Sequence, residues 1–295
     1  MEPTLSIIIP VYNVAQYLRH CLQSILEQGL DNYEVLLVND ASHDNSRGIC
    51  SEWCETHPQF RLLNHEANMG LSMARNTGLQ AAQGYYVTFV DSDDYLQEGT
   101  LATVLASMQQ TDVAEYPVME NHLTKHPRLW KPEDKVMKYA EWMEHGGYTH
   151  SYAWNKVYRR TLWDGIEFPP GKYFEDLRTI PSVLQRANGI RGTRQGVYYY
   201  CARNGSISRQ TDLAHLTDYA EAISSLALWP QNKDNTALHL RALNAQLSYH
   251  RAGGTQTFIS EVHIPWHFIV QPGLHWKQRL KAIWFKYFAS WQTLN

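Results

Sequence analysis

The sequence predicts an α/β protein with a mostly parallel, doubly wound central sheet, flanking helices and a helical carboxyl-terminal extension. Over the first hundred residues, short apolar runs alternate with stretches of helical period. The runs are almost continuously apolar, as in strands covered on both faces, and lack the alternation of half-exposed strands. They end in polar residues, which is where ligands bind in parallel sheets.

The first run is Leu5-Ser6-Ile7-Ile8-Ile9, ended by Pro10. Tyr17, Leu18, Cys21, Leu22, Ile25 and Leu26 then recur at helical spacing, and Gly29 falls where a carboxyl-terminal cap belongs. Glu34-Val35-Leu36-Leu37-Val38 is the second strand and delivers Asn39-Asp40-Ala41-Ser42, after which Asp44-Asn45-Ser46 starts a helix. Phe60-Arg61-Leu62-Leu63 is the third strand. Leu71 to Ala82 is a helix stopped by Gly84, and Tyr85-Tyr86-Val87-Thr88-Phe89-Val90 is the fourth strand.

That fourth strand hands the chain on to Asp91-Ser92-Asp93-Asp94. Acids at the end of an apolar strand need a cation, hydrogen bonds or solvent, because a buried charge that loses its partner costs about 3–5 kcal/mol. Two carboxylates at i, i+2 reach one hard divalent ion when the chain turns between them, and such an ion suits a diphosphate. Taken alone, the stretch reads more simply as a solvated loop capping the next helix.

Composition narrows the classes. At 295 residues and 44% hydrophobic, the chain can bury one large core or two modest ones. A formal net charge of -3 gives no general attraction for nucleic acid. Met1-Glu2-Pro3-Thr4 lacks the basic and apolar regions of a signal peptide, and no apolar run approaches the ~20 residues of a spanning helix, so a cytoplasmic protein is expected. Cys21, Cys50, Cys54 and Cys201 show no C-x-x-C spacing, and reduced thiols are expected. Pro10-Val11-Tyr12-Asn13 stands where a dinucleotide fold would carry G-x-G-x-x-G, and no P-loop lysine follows; phosphates would be met by a cation.

Four segments in order carry a resemblance: Ser6-Ile7-Ile8-Ile9-Pro10-Val11-Tyr12-Asn13, Val38-Asn39-Asp40-Ala41-Ser42, Asn68-Met69-Gly70-Leu71-Ser72-Met73-Ala74-Arg75-Asn76-Thr77-Gly78 and Asp91-Ser92-Asp93-Asp94. Together they resemble the signature of family 2 glycosyltransferases with the GT-A, Rossmann-like fold. The resemblance covers residues 4–115 closely and 150–210 more loosely. It implies an inverting transfer of a sugar from a nucleotide sugar, usually a UDP-sugar, assisted by Mn2+ or Mg2+. It also implies that Pro10 and Tyr12 lie against the nucleobase, with Asp40 hydrogen-bonded to it. Asp91 would face the ribose or share the metal, Asp93 would bind the metal bridging the phosphates, and Ser92 would contribute through its backbone or hydroxyl. Asn68 and Arg75 are assigned to the same crevice, Arg75 with equal weight as an ion-pair partner of the strand-end acids. Where the family commonly shows D-D-G-S, this chain has Asn39-Asp40-Ala41-Ser42, which loses the first acid and the glycine.

Residues 116–210 are expected to complete the domain begun by 1–115, with the acceptor site and the base, and 211–295 to form the helical extension. Glu175 and Asp176 precede Leu177, Ile180, Val183 and Leu184 at helical spacing. The acids therefore stand at a helix amino terminus, where the dipole favours an ionised carboxylate by about 0.3–1 kcal/mol. The resemblance makes Asp176 the general base, with Glu175 beside it. Ala153-Trp154-Asn155-Lys156-Val157-Tyr158 resembles the family's W-x-K-x-Y/F segment and puts Trp154 and Lys156 on the acceptor side. Arg203 and Ser206, after Tyr198-Tyr199-Tyr200, are candidates for a lid over the diphosphate.

In the extension, Leu213 to Leu228 and Thr236 to Ala252 read as helices, the second ended by Gly253-Gly254. Over 274–291, Leu280, Ile283, Trp284, Tyr287, Phe288 and Trp291 form an apolar stripe beside Lys277, Arg279, Lys281 and Lys286. Such a helix docks on protein or lies peripherally on an anionic membrane surface. The expected partners are a nucleotide-sugar donor and a glycan or lipid-linked acceptor, with no nucleic acid. Two function classes follow: an active inverting glycosyltransferase, or a nucleotide-sugar-binding fold without catalysis that serves as an interaction subunit.

Overall fold

The computed structural model describes residues 2–120, 126–201 and 212–259 and the single positions 270, 276, 279, 280 and 283. Arg203, Ser206 and most of the 274–291 stretch lie outside the described residues. The chain divides into two compact units, residues 1–139 with 151–207, and residues 140–150 with 208–295. The sequence placed 140–150 with the acceptor half; it clusters instead with the helical extension, where Asn235 Nδ2 donates to the Met143 carbonyl at 3.1 Å.

In the first unit, β1 (Leu5–Val11), α1 (Ala15–Leu26), β2 (Tyr33–Asn39), α2 (Ser46–Thr56), β3 (Phe60–Asn64), α3 (Leu71–Ala81) and β4 (Tyr86–Phe89) follow one another as expected. Then come β5 (Tyr95–Leu96), α4 (Thr100–Ser107), β6 (Val113–Glu115), β7 (Val118–Glu120), β8 (Arg128–Trp130) and β9 (Val136–Met137). After α5 (Tyr139–Glu144) the chain forms β10 (Lys156–Arg159), α6 (Glu175–Gln185), β11 (Ile190–Gly192) and β12 (Tyr198–Tyr199). The main sheet has the order β3-β2-β1-β4-β10-β6-β11-β9, and β5-β12-β7-β8 form a second, smaller sheet. β1, β2, β3 and β4 are parallel, whereas β10 runs antiparallel between β4 and β6.

Every residue of β1 is buried, as its unbroken apolar run requires. Pro10 is tolerated in this central strand for a specific reason. Its pairing with β4 ends at Ile8↔Phe89 and at the Val90 N–H to Ile8 carbonyl bond, so the missing N–H falls where the ladder has already opened. There β1 leads across to β2 on one side and β4 leaves on the other, which makes the carboxyl ends of β1 and β4 the topological switch point of the sheet. α3 covers β1 closely because Gly78 faces Ile8: a Cβ there would come within 2.3 Å of Ile8 Cγ2.

Ala41, standing where the family shows glycine, has φ +55. The left-handed region costs an L-residue about 1–2 kcal/mol. Ala41→Gly is therefore expected to raise stability by about 1 kcal/mol, read from urea denaturation midpoints at constant m; a variant no more stable than the wild type would show that the loop relaxes this strain by other means.

In the second unit, α7 (Leu213–Ala227) and α8 (Thr236–Arg251) match the expected helices. Their amino termini are capped by side chains, Asp212 accepting from the His215 N–H at 2.8 Å and Asn235 from the Leu238 N–H at 3.1 Å. Gly253 beyond α8 has φ +94, as its position after the helix requires. No helix among the described residues is long and apolar enough to cross a membrane.

Candidate active site

The loops leaving β1 and β2 are laced together. The Asn13 N–H donates to Ser42 Oγ at 3.2 Å and the His43 N–H to Asn13 Oδ1 at 2.8 Å. Tyr12 emerges at this edge with 40% of its surface exposed, and Pro10 is buried beneath it in the strand. An exposed ring at a strand's carboxyl end can stack on a flat ligand. Asp40, expected to hydrogen-bond a base, is heavily engaged by protein. Its Oδ1 faces His65 Nδ1 at 2.7 Å and accepts from the Met69 N–H at 2.8 Å, while Oδ2 accepts from the Gly70 N–H at 2.8 Å. Asp40 thus shapes the loop that leads into α3, on which Asn68 is exposed.

Past β4, the four residues of the acidic stretch have distinct surroundings. Ser92 is buried. Asp94 is not a cap: its carboxylate accepts from the Tyr198 hydroxyl at 2.9 Å and the Cys201 N–H at 2.7 Å, tying β12 to the strand end. Burial together with the charges of Asp93 and Asp91 pushes its carboxyl well above the usual range. Tyr198 also receives the Asp91 N–H at 3.0 Å, so this one phenol positions the start of the stretch. Asp93 stands half-buried at the turn.

Arg75 is where the site closes. One turn into α3 and 1% exposed, its Nη2 donates to Asp91 Oδ1 at 3.0 Å, and its Nη1 to Glu175 Oε1 at 2.8 Å and Asp176 Oδ1 at 2.7 Å. The guanidinium also lies over the rings of Phe168 and Phe89, 5.3 and 5.9 Å from their centroids. Of the two roles the sequence left open, the structure gives Arg75 the ion-pair role. Three acids from residues 91, 175 and 176 converge on one buried cation.

Glu175 and Asp176 open α6 as expected. The residue before them, Phe174, has φ +56, a left-handed conformation that is a strained exception for a bulky side chain and turns both acids inward. Asp176 Oδ2 accepts from the Ala153 N–H at 3.1 Å. Burial, reinforced by the charge of Asp176 and opposed by Arg75, pushes Glu175 up to about 7. Burial likewise raises Asp176, against the pull of Arg75. Burial thus holds both neighbouring carboxyls above their ordinary range, and the side chain of Asp176 keeps 17% exposure. Burial opposes the charge of Arg75, yet Asp176, Asp91 and Glu175 outweigh it and hold the guanidinium firmly protonated.

Two acceptor-side assignments are corrected. Trp154 is 5% exposed, and its ring is already stacked on Tyr152, Tyr198 and Tyr200 at centroid distances of 4.5, 4.2 and 5.7 Å. Lys156 is fully buried on β10 and paired with Glu115 Oε1 at 2.9 Å. Both side chains are enclosed by protein. Sequence reasoning missed Tyr198, Glu115 and the Ala153 N–H. The aromatic run at Tyr198-Tyr199-Tyr200 was a visible signal for the first, and nothing local marked the others.

Among the described residues, no three His, Cys, Asp or Glu side chains come together as a ready-made metal cage. What the strand end offers is hard carboxylate oxygen from Asp93. That donor set does not suit structural zinc, and it fits an ion that keeps waters and takes its remaining ligands from substrate phosphates.

The sequence model of the family described as "Glycosyl transferase family 2" matches residues 6–172. "Glycosyltransferase GlyA" of Streptococcus pneumoniae serotype 4 is 34% identical over 223 residues, covering 71% of this chain and 32% of that protein. The chain spans between 32% and 64% of the length of the first three curated relatives it matches. Among solved structures, S. aureus TarS 1-349 in complex with UDP-GlcNAc superposes with a TM-score of 0.66 at 20% identity, covering 95% of this chain and 79% of that one. The mannosyltransferase PcManGT from Pyrobaculum calidifontis, in complex with GDP-Man and Mn2+, superposes with a TM-score of 0.59 at 18% identity, covering 85% and 74%. With its GT-A sheet and the strand-end residues in family order, this chain belongs to glycosyl transferase family 2.

Proposed function

We propose that the protein is an inverting glycosyltransferase that moves a sugar from a nucleotide diphosphate sugar, a UDP-sugar being favoured, to a hydroxyl of a glycan or lipid-linked acceptor. The observation that carries this reading is the convergence of Asp91, Glu175 and Asp176 on Arg75 beside Asp93 at the sheet's switch point. Inversion needs one carboxylate to take the acceptor's proton as that oxygen attacks the anomeric carbon and the bond to the diphosphate breaks. Asp176 meets that need. Arg75 and Ala153 each take one lone-pair direction of its two oxygens and leave others open, and burial makes it more basic than a surface aspartate.

Asp93 would hold Mn2+ or Mg2+ together with the diphosphate, and the bound ion would supply charge neutralisation for the leaving group. Tyr12 would stack on the base, with Asp40 fixing the loop of Asn68 and Met69 around it. Asp91, its Oδ1 committed to Arg75, fits a ribose contact better than a second metal bond.

A thermal-shift panel of UDP, GDP, CDP and dTDP with and without Mn2+ tests the reading. A ligand at 100 times its Kd stabilises the native state by about 2.7 kcal/mol. One nucleotide is expected to raise Tm only with the metal, and Asp93→Asn to abolish the metal-dependent part. No shift with any nucleotide, with or without metal, would count against nucleotide-sugar binding and so against this reading.

A further inference from the structure

Residues 151–155, just before β10, form an irregular turn, and this turn carries the Ala153 N–H that reaches Asp176 Oδ2. An irregular segment has no ladder to aim it, so its direction must come from side chains. Here three successive carbonyls are each held by a buried donor. Tyr152 O accepts from Lys156 Nζ at 2.9 Å, Ala153 O from the Tyr158 hydroxyl at 3.1 Å, and Trp154 O from the Tyr116 hydroxyl at 2.8 Å. Burial raises both phenols far enough that they stay O–H donors. Lys156 Nζ also donates to Asn155 Oδ1 at 2.8 Å, and its ion-pair partner Glu115 lies directly opposite on β6. A buried ion pair of this kind is not required for stability, since apolar residues of similar volume often serve as well or better.

We propose that Lys156, held by Glu115, is a positioning residue for the base: it fixes the 151–155 turn that presents the Ala153 N–H to Asp176 and sets a buried positive charge behind that carboxylate. This rests on the reading of Asp176 as the base. The charged and titratable groups around Asp176 are Arg75 from α3, Asp91 after β4, Glu175 on its own helix, and Lys156 and Tyr158 from β10. Arg75 is shared among three acids, so Lys156 is a second cation that counters the burial of Asp176. The interaction is mutual: burial pulls the Lys156 ammonium below its usual range, while Glu115 and Asp176 oppose that pull. The consequence is a more ionised base at neutral pH and one fixed rotamer for it.

The test is the charge-neutral double variant Lys156→Met/Glu115→Gln in the full chain, because Lys156→Met alone leaves an acid buried without its cation. The Asp176 carboxyl 13C resonance, assigned by its loss in Asp176→Asn, is titrated in wild type and variant; this readout does not depend on turnover. The expected result is a midpoint raised by about one pH unit in the double variant. Where the wild type releases UDP from UDP-GlcNAc with Mn2+, the acid limb of kcat should move up by the same amount while the KM for the donor stays unchanged. An unchanged midpoint overturns the proposal, whereas a shifted midpoint without UDP-sugar turnover by the wild type counts against the reading of Asp176 as the base alone. If the double variant does not fold, Tyr158→Phe removes only the hydroxyl beneath Ala153; it should shift the midpoint in the same direction, and no shift there also overturns the proposal.

Discussion

Arg75→Met is expected to destabilise the first unit by about 3–5 kcal/mol at pH 8, because it leaves acids buried without their cation. For a domain of this size that corresponds to roughly 2–4 °C of Tm per kcal/mol. The volume of the side chain is nearly kept, so the loss is electrostatic, and the effect should depend on pH with a definite sign. Glu175 and Asp176 are already raised by burial, and the guanidinium is the foremost charge that holds them down. Without it their folded-state values climb further above those of the unfolded chain. An acid of that kind contributes stability below its unfolded pKa and loses it as pH rises through its folded pKa. The variant should therefore lie close to the wild type at pH 5 and far below it at pH 8. Melting curves at the two pH values decide the matter, and an equal deficit at both would mean that Arg75 acts through packing on Phe89 and Phe168.

The arrangement around Arg75 also marks where sequence reading stops. β1 to β4 were legible because each strand is a continuous apolar run between helix-period stretches, and the acids at their ends were visible as the polar exceptions. Glu175 and Asp176 were placed at a helix start by the spacing of Leu177, Ile180, Val183 and Leu184. The ion-pair hub itself was left open, because residues 75, 91, 175 and 176 meet only after the sheet forms. β10 is four residues long and β5, β9 and β12 two each, too short for any period to show. Lys156 and Trp154 were assigned to the acceptor side because their segment resembles the family's W-x-K-x-Y/F pattern. Burial decided otherwise: Lys156 is enclosed by a strand pairing with β6 more than forty residues upstream, and Trp154 by the rings of Tyr152, Tyr198 and Tyr200, which no local pattern announces. Asp40 was read as a base contact from the family resemblance, at a strand end where ligands bind. The donors that occupy it belong to a loop whose path depends on β3 pairing with β2.

Asp176→Asn should leave nucleotide binding intact and reduce transfer by about 10²–10⁴-fold, the usual contribution of a positioned general base. The substitution also has structural terms that can be worked out. Both groups facing this carboxylate, Arg75 Nη1 and the Ala153 N–H, are donors, so the new amide must turn its NH2 against one of them and lose that bond. The loss costs about 1–3 kcal/mol. It is offset by removal of a buried negative charge from beside Glu175 and Asp91, so stability at pH 8 should change little. The pH dependence separates the two effects. In the wild type, activity and stability should move in opposite directions: the base is ionised only above the raised pKa values of the pair, whereas the stability tied to Glu175 is present at acid pH and lost as pH rises through about 7. In the variant, Glu175 loses the repulsion of Asp176, its pKa falls toward the ordinary range, and the slope of Tm between pH 5 and 8 should flatten. Transfer at the wild-type rate by Asp176→Asn would remove Asp176 as the base. A wild-type Tm that rises from pH 6 to 8 would show that the pair is ionised without cost, and that the buried hub does not tune the proton acceptor.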